Sequence, residues 1–332
     1  MPGNPNAYLS LLLSVTTSFG THPTGIVPAE MTTDARYAVL FKAFTADDFV
    51  LRRLAWVVAC APSADVYLMV DETNGGLGPI PFERTIRFRE SDVTALGFAK
   101  QGRGSLFWYN SDYPLYYFQH LHPDYDTIVM VEYDAVPRSD LDDLVRECQE
   151  KGFDFVGQPI AKTLETYWWT STMLRFYRYD QVRPYLICAA VFSARAVRHL
   201  AAARLRQGRE YDLPDATQWP IGETFVGTEL AASGFRLHEL SAFGRLTRYD
   251  WWPPTHESEL PDFAGDVFIH PVLTGHRYVR SLFKSNMLSG LAVVVKFTLP
   301  GLVRTARRKL GRARRKLGRR RTAERVHSPP RA

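Results

Sequence analysis

The chain has 332 residues, enough for one large core or two tightly joined lobes. Its formal net charge is +6, but 13 of its 41 Lys and Arg residues lie from Gly301 onward beside one acid, Glu324, so the first 300 residues carry 28 bases against 34 acids. A mildly acidic body with a basic tail argues against nucleic acid as a partner, and three cysteines (Cys60, Cys148, Cys188) without metal-ligand spacing fit no disulfide framework and point to a reducing compartment.

Residues 1–35, rich in Pro, Gly, Ser and Thr, read as a flexible arm. The apolar run Tyr8 to Val15 is short and lacks a basic flank, so it predicts neither a signal peptide nor a membrane span. Tyr37 to Phe44 predicts a strand, and Asp47 to Ala61 a helix capped by Asp47 or Asp48. Asp65 to Asp71 is a second strand, stopped by Asn74-Gly75-Gly76, and Thr85 to Phe88 a short third one. A short helix is expected over Asp92 to Ala99, and partly helical aromatic chain over 107–122. Residues 127–131 form the next buried strand, Asp140 to Lys151 a helix with acids in its first turn, and Asp154 to Gly157 the start of another strand. Tyr185 to Phe192 predicts a buried strand with a helix through about Arg206, and Gly222 to Gly234 a helix that Gly234 stops. Phe235 to Leu240 is a late strand. The alternation through residue 157 predicts an α/β fold with a mostly parallel central sheet flanked by helices, followed by an irregular, aromatic-rich second half. The expected organisation is an arm (1–35), a single catalytic domain (36–286, divided into a nucleotide-binding half to residue 157 and an acceptor half from 158), and a tail (287–332).

The stretch Ile128-Val-Met-Val-Glu-Tyr-Asp-Ala135 concentrates the chemistry. At strand periodicity Glu132 and Asp134 lie on one side of the chain, and Pro137 is expected to end the ladder. In an α/β sheet the carboxyl ends of strands are where ligands bind. Two acids crowded there call for a cation, and Mn²⁺ or Mg²⁺ held with a diphosphate is the natural one. His270 closes the short apolar run Val267-Phe-Ile269 and offers a neutral imidazole as a second ligand, with His276 its rival. Asp71 ends the second strand at the same edge, where an acid can bind a ribose or cap the turn that follows. Asn110 and Asp112 sit in an aromatic segment that either walls a donor pocket or packs the core. Arg277, with Arg280 and Lys284, forms a basic set suited to a diphosphate or to a solvated face.

These pieces in this order resemble a GT-A-type glycosyltransferase. The matching residues are Val39 to Phe44, Leu68 to Asp71, Glu132-Tyr-Asp134 in place of an Asp-X-Asp motif, Cys188 to Ser193, Gly222 to Thr228, and Phe268-Ile-His-Pro271, spread over residues 36–276. The resemblance implies a nucleotide-diphosphate sugar donor and a glycan or glycolipid acceptor. It also implies a metal held directly by Asp134 and completed by His270. Glu132 would then contact sugar, ribose or a metal-bound water. In the same family a general base lies near Glu223, with Glu229 the alternative, provided that transfer inverts the sugar. Tyr167 to Thr170 and Trp251-Trp252 are expected as exposed aromatic clusters that stack on sugar rings or face a membrane.

In the tail, Ala306-Arg-Arg-Lys-Leu-Gly-Arg312 repeats as residues 313–319 after the apolar segment 287–303. Ala306, Leu310, Ala313 and Leu317 make a narrow stripe on a basic helix, which suits an anionic membrane surface. The location expected is therefore cytoplasmic, peripheral on the inner face of the cell membrane, in cell-envelope polysaccharide synthesis. Two other classes compete: a nucleotidyltransferase, for which Lys42-Ala-Phe-Thr-Ala-Asp47 supplies no Gly-rich phosphate loop, and a non-enzymatic scaffold that binds membrane or polyanion through the tail. Oligomeric state has no sequence signal.

Overall fold

The computed structural model describes residues 36–100, 106–160, 167–210 and 219–283. The arm, residues 287–303 and the basic repeat lie outside the described residues. Strand β1 (Tyr37–Ala43) is apolar throughout except at Lys42, as a strand covered on both faces should be. Helix α1 (Asp48–Ala59) follows, with the Asp47 carboxylate accepting from the Val50 amide at its start. Its buried residues Phe49, Val50, Leu54 and Val57 recur at helical spacing. Strands β2 (Asp65–Asp71) and β3 (Thr85–Phe88) fall where the sequence predicts them.

Helix α2 covers Glu90–Ala95, starting two residues and ending four residues earlier than expected. Asp92 is not its cap: it stands in the first turn and reaches back to accept from the Arg89 amide at 2.7 Å. Helices α3 (Leu106–Tyr109) and α4 (Tyr113–Leu121) divide the aromatic segment. Strand β4 (Thr127–Glu132) leads through a turn to β5 (Val136–Pro137). Pro137 does not end pairing, because β5 meets β10 (Phe268–Ile269) as an antiparallel pair. After α5 (Leu141–Glu150), capped by Asp140, come β6 (Phe155–Pro159) and β7 (Tyr185–Ser193). Helix α6 (Ala194–Glu210) outlasts its expected end by four residues, since Gln207, Arg209 and Glu210 are all good helix formers. Helix α7 (Gly222–Ala232) ends at Gly234, whose φ of 73° suits glycine. There the Gly234 and Phe235 amides donate to the Ala231 and Leu230 carbonyls, which are the two bonds of a Schellman motif. Strand β8 is short (Leu237–Glu239).

The sheet has seven strands in the order β3-β2-β1-β4-β7-β6-β8, and only β7 runs against the rest. This is the mostly parallel, helix-flanked α/β architecture expected. Its main core packs Leu40, Met69, Ile128, Met130 and Phe192 from the strands with Tyr113, Tyr116, Phe118, Leu200 and Phe225 from the helices. Each fully buried large apolar side chain of this kind contributes roughly 1.5–3 kcal/mol.

The chain divides into two compact units. The first holds the sheet, its helices and the return segment Gly265–His270. The second joins Asp250–Ala264 to the residues from Pro271 onward. Within it β9 (Thr255–His256) pairs in parallel with β11 (Val272–Leu273), and α8 spans Gly275–Leu282.

Candidate active site and cation centre

The carboxyl ends of β1, β2 and β4 lie side by side, and the site grows from the residues at that edge. Lys42 of β1 is in register with Glu132 of β4. Its ammonium stands 3.1 Å from the Glu132 carboxylate and donates to the Ser111 carbonyl at 3.0 Å. The charge of Glu132 is therefore met by a lysine, a partner that sequence reading missed. The signal was present: one cation inside an otherwise apolar, doubly covered strand needs a nearby anion.

Strand periodicity does not extend to Asp134. The Ala135 amide donates to the Glu132 carbonyl at 2.9 Å, so the chain is already turning there. This turn puts Asp134 Oδ1 at 3.5 Å from Nε2 of His270. That oxygen is buried and has no hydrogen-bond partner. His270 arrives on the return segment, where its amide donates to the Arg248 carbonyl at 2.8 Å and it bridges to Tyr249. The Tyr249 hydroxyl in turn bonds both main-chain groups of Ala189, accepting from the amide at 2.8 Å and donating to the carbonyl at 2.9 Å. One step past the last β4–β7 ladder pair, Val131 with Ala189, Glu132 and Cys188 come next to one another. A carboxylate oxygen of Glu132, the Cys188 thiol and a ring nitrogen of His270 all lie within 4.8 Å of one another. Burial, and the charges of Glu132, Glu223 and Asp134, push the thiol of Cys188 well above its ordinary value. The lack of local cysteine spacing therefore did not exclude Cys188 from a candidate metal group, because antiparallel register supplies the proximity instead.

These groups suit a divalent cation. A buried anionic oxygen without a partner is costly, and a cation beside it removes that cost. Oxygen, nitrogen and sulfur donors are all at hand for an ion of borderline softness.

Glu223 opens α7 and accepts from the hydroxyl of Tyr167, which is buried rather than part of an exposed cluster. Burial pushes the Glu223 carboxyl up to about 7. The Tyr167 bond opposes this, Glu132 adds to it, and His270 and Lys42 pull the other way. Glu223 thus lies within electrostatic reach of three groups at the candidate centre. Glu229 has other company: His199 Nε2 at 2.8 Å, Ser233 Oγ at 3.2 Å and the Tyr177 hydroxyl. It is 3% exposed and borders a surface hollow of about 240 Å³ lined also by Phe176, Gln207 and Glu210.

Asn110 and Asp112 are both fully buried. Asp112 takes two hydrogen bonds from the Arg204 guanidinium, at 2.9 and 3.1 Å, and a third from Tyr116 at 2.7 Å. Asn110 Nδ2 and Arg204 Nη1 both donate to the Pro220 carbonyl, at 3.0 and 2.9 Å. The Tyr109 hydroxyl donates to the Trp219 carbonyl at 2.6 Å. This buried network grips the residues that lead into Glu223. A Cβ on Gly222 would come within 2.7 Å of Asp112 Oδ1, so the close approach depends on glycine there. Asn110 and Asp112 were expected at the donor; both are buried, and the bonds of Asp112 to Arg204 and Tyr116 and of Asn110 Nδ2 to the Pro220 carbonyl suit the support of this loop.

Asp71 ends β2 at the expected edge, and its Oδ1 accepts from the Thr73 amide at 2.8 Å, the turn-capping geometry. Arg277 and the exposed His276 both lie on α8 in the second unit. Of the two histidines, His270 is the one beside Asp134. Trp169 packs edge-on against Trp108, which is 62% exposed, and Trp251 is also exposed.

No protein-family model and no curated protein matches the chain. Among solved structures it is similar to a glycosyltransferase involved in glycosylation of the major capsid of PBCV-1, at 9% identity and a TM-score of 0.37 over 74% of this chain and 98% of that one. It is similar to the galactosyltransferase LgtC in complex with donor and acceptor sugar analogs, at 13% identity and a TM-score of 0.38 over 69% and 78%. It is similar to mouse xyloside xylosyltransferase 1 in its apo form, at 10% identity and a TM-score of 0.39 over 72% and 97%. Each of these is a glycosyltransferase; at such TM-scores the likeness carries no weight of its own.

Proposed function

We propose that this chain is a GT-A-type glycosyltransferase that moves a sugar, of hexose type, from a nucleotide-diphosphate sugar to a hydroxyl of a glycan or glycolipid, with Mn²⁺ or Mg²⁺. The observation that carries the reading is the meeting of Asp134 and His270 at the carboxyl edge of the sheet, with Asp134 Oδ1 buried and without a hydrogen-bond partner and Glu223 within electrostatic reach. A divalent cation bound there neutralises charge on the departing nucleoside diphosphate. Asp134 and His270 would hold that cation, and Lys42 fixes the Glu132 carboxylate in place. Glu223 accepts the proton of the acceptor hydroxyl, a step its raised pKa suits at neutral pH. Asp71 is assigned to the donor on its chemistry. The exposed face of Trp108 is assigned to acceptor sugar rings.

The proposal places the protein on the cytoplasmic face of a membrane, held by its basic repeat, in cell-envelope polysaccharide synthesis. No helix among the described residues is long and apolar enough to cross a membrane. The support for the surface location is the sequence pattern of the tail.

The test is a screen of UDP-, GDP- and other nucleotide sugars for hydrolysis and transfer with Mn²⁺ and with chelator. One donor should be turned over, and chelator or Asp134→Asn should stop it. Activity equal in chelator and in the Asp134→Asn protein refutes the metal role. Release of pyrophosphate from a nucleoside triphosphate and a sugar phosphate, with no transfer from any nucleotide sugar, would make the chain a nucleotidyltransferase instead.

A further inference from the structure

Cys188 has no part in the reaction proposed above, yet its thiol belongs to the cluster with the Glu132 carboxylate and the His270 imidazole. The cluster is braced. Cys188 is adjacent in sequence to Ala189, whose amide and carbonyl are both bound by the Tyr249 hydroxyl. Tyr249 is the bridge partner of His270. Glu132, on the other side, is held by Lys42 at 3.1 Å. Three donors on three separate chain segments therefore converge with little freedom, and Asp134 Oδ1, which has no hydrogen-bond partner, lies 3.5 Å from Nε2 of His270. A packing cysteine needs only apolar neighbours; this one is beside a carboxylate and an imidazole.

We propose that Cys188 is a direct ligand of the cation, together with His270, Glu132 and Asp134, and that its sulfur makes the centre prefer Zn²⁺ or Co²⁺ to Mg²⁺. This rests on the reading that Asp134 and His270 hold a cation. Hard ions such as Mg²⁺ take oxygen donors and gain little from sulfur, whereas Zn²⁺ and Co²⁺ bind thiolate and imidazole well. On binding, the thiol gives its proton to solvent and the thiolate takes the coordination position. A carboxylate-only centre would discriminate far less against Mg²⁺.

Co²⁺ titration of the metal-free full-length protein tests this by absorption, without any turnover. The wild type should show both ligand-field bands and a thiolate-to-cobalt charge-transfer band. Cys188→Ser should lose the charge-transfer band, keep ligand-field bands, and bind Co²⁺ at least about tenfold more weakly, since even outer-shell changes typically cost 10–100-fold. Cys60→Ser and Cys148→Ser, at buried positions away from the cluster, should leave the charge-transfer band unchanged. Because Cys188→Ser can fail to fold, Zn²⁺-edge X-ray absorption on the wild type supplies an independent reading, with one sulfur expected at about 2.3 Å. Co²⁺ or Zn²⁺ bound with only nitrogen and oxygen neighbours overturns the Cys188 assignment and leaves the Asp134–His270 reading intact. No binding of Co²⁺, Zn²⁺ or Mn²⁺ overturns both.

Discussion

Glu223 shows how much one side chain's surroundings decide. With its carboxyl pushed from 4.5 up to about 7 by burial, the metal-free protein holds it substantially protonated at neutral pH. Two outcomes follow at this scale. Transfer should rise with pH through neutrality, and Glu223→Gln should cut it by about 10²–10⁴-fold while donor binding stays nearly intact. An unchanged rate would return Glu223 to a helix-start role. The second outcome concerns stability. A group whose folded pKa is raised stabilises the fold fully below its unfolded value, and that contribution is lost as pH rises through the folded value. Between about pH 4.5 and 7 the metal-free wild type should therefore lose stability on the order of 3 kcal/mol, a loss that Glu223→Gln removes, as urea melts across pH will show.

Among the elements, the grip on the Trp219–Gly222 loop is the most exposed to test. Asp112 and Arg204 form an ion pair with both side chains fully buried. Arg204 also lies 3.7 Å from the centre of the Phe225 ring and donates to the Pro220 carbonyl. Removing one partner leaves an uncompensated buried charge, so Arg204→Leu should cost roughly 3–5 kcal/mol. Asp112→Leu combined with Arg204→Leu should recover much of that stability but not the transfer rate, because the Pro220 carbonyl still loses one of its two donors and Glu223 its fixed approach. A double variant no more stable than Arg204→Leu would deny the pair its energetic role. Thermal melts paired with transfer assays separate the two effects.

At the same scale the strands and helix caps were legible in the sequence wherever short-range chemistry decides them. β2 and β3 match residue for residue, and Asp47, Asp140 and Gly234 do the capping their types suggest. What escaped was set by pairing between distant segments. Lys42 against Glu132 and Cys188 beside Glu132 both depend on register, which no local window contains. Arg204 looked like one of many basic residues on α6, and only the fold shows that it is fully buried. For the candidate site, Asp134 and His270 were named from residue type and position, and Glu223 from the family resemblance. The neighbours that tune them were not.

For the whole molecule, the contrast between acidic body and basic tail carries its own expectation. Residues 301–332 contain few large apolar side chains, so their removal should leave a folded body. The same deletion should weaken sedimentation with anionic vesicles, and salt should weaken it for the intact chain, because charge attraction is screened over about 8–10 Å at ordinary ionic strength. Residues 287–300 keep some apolar affinity, so the loss should be partial. Full-length protein that ignores anionic vesicles at low salt would assign the tail to another polyanion or to no ligand at all.

The late return of the chain with His270 also has a consequence in time. A ribosome delivers Lys42, Glu132, Asp134, Cys188 and Glu223 well before it reaches the Gly265–His270 segment. Until that segment emerges and pairs with β5, Asp134 faces no imidazole and the Tyr249 brace has no partner. A nascent chain therefore carries the sheet, the acids and the loop grip without the Asp134–His270 pair, which forms only after residue 270 has left the ribosome.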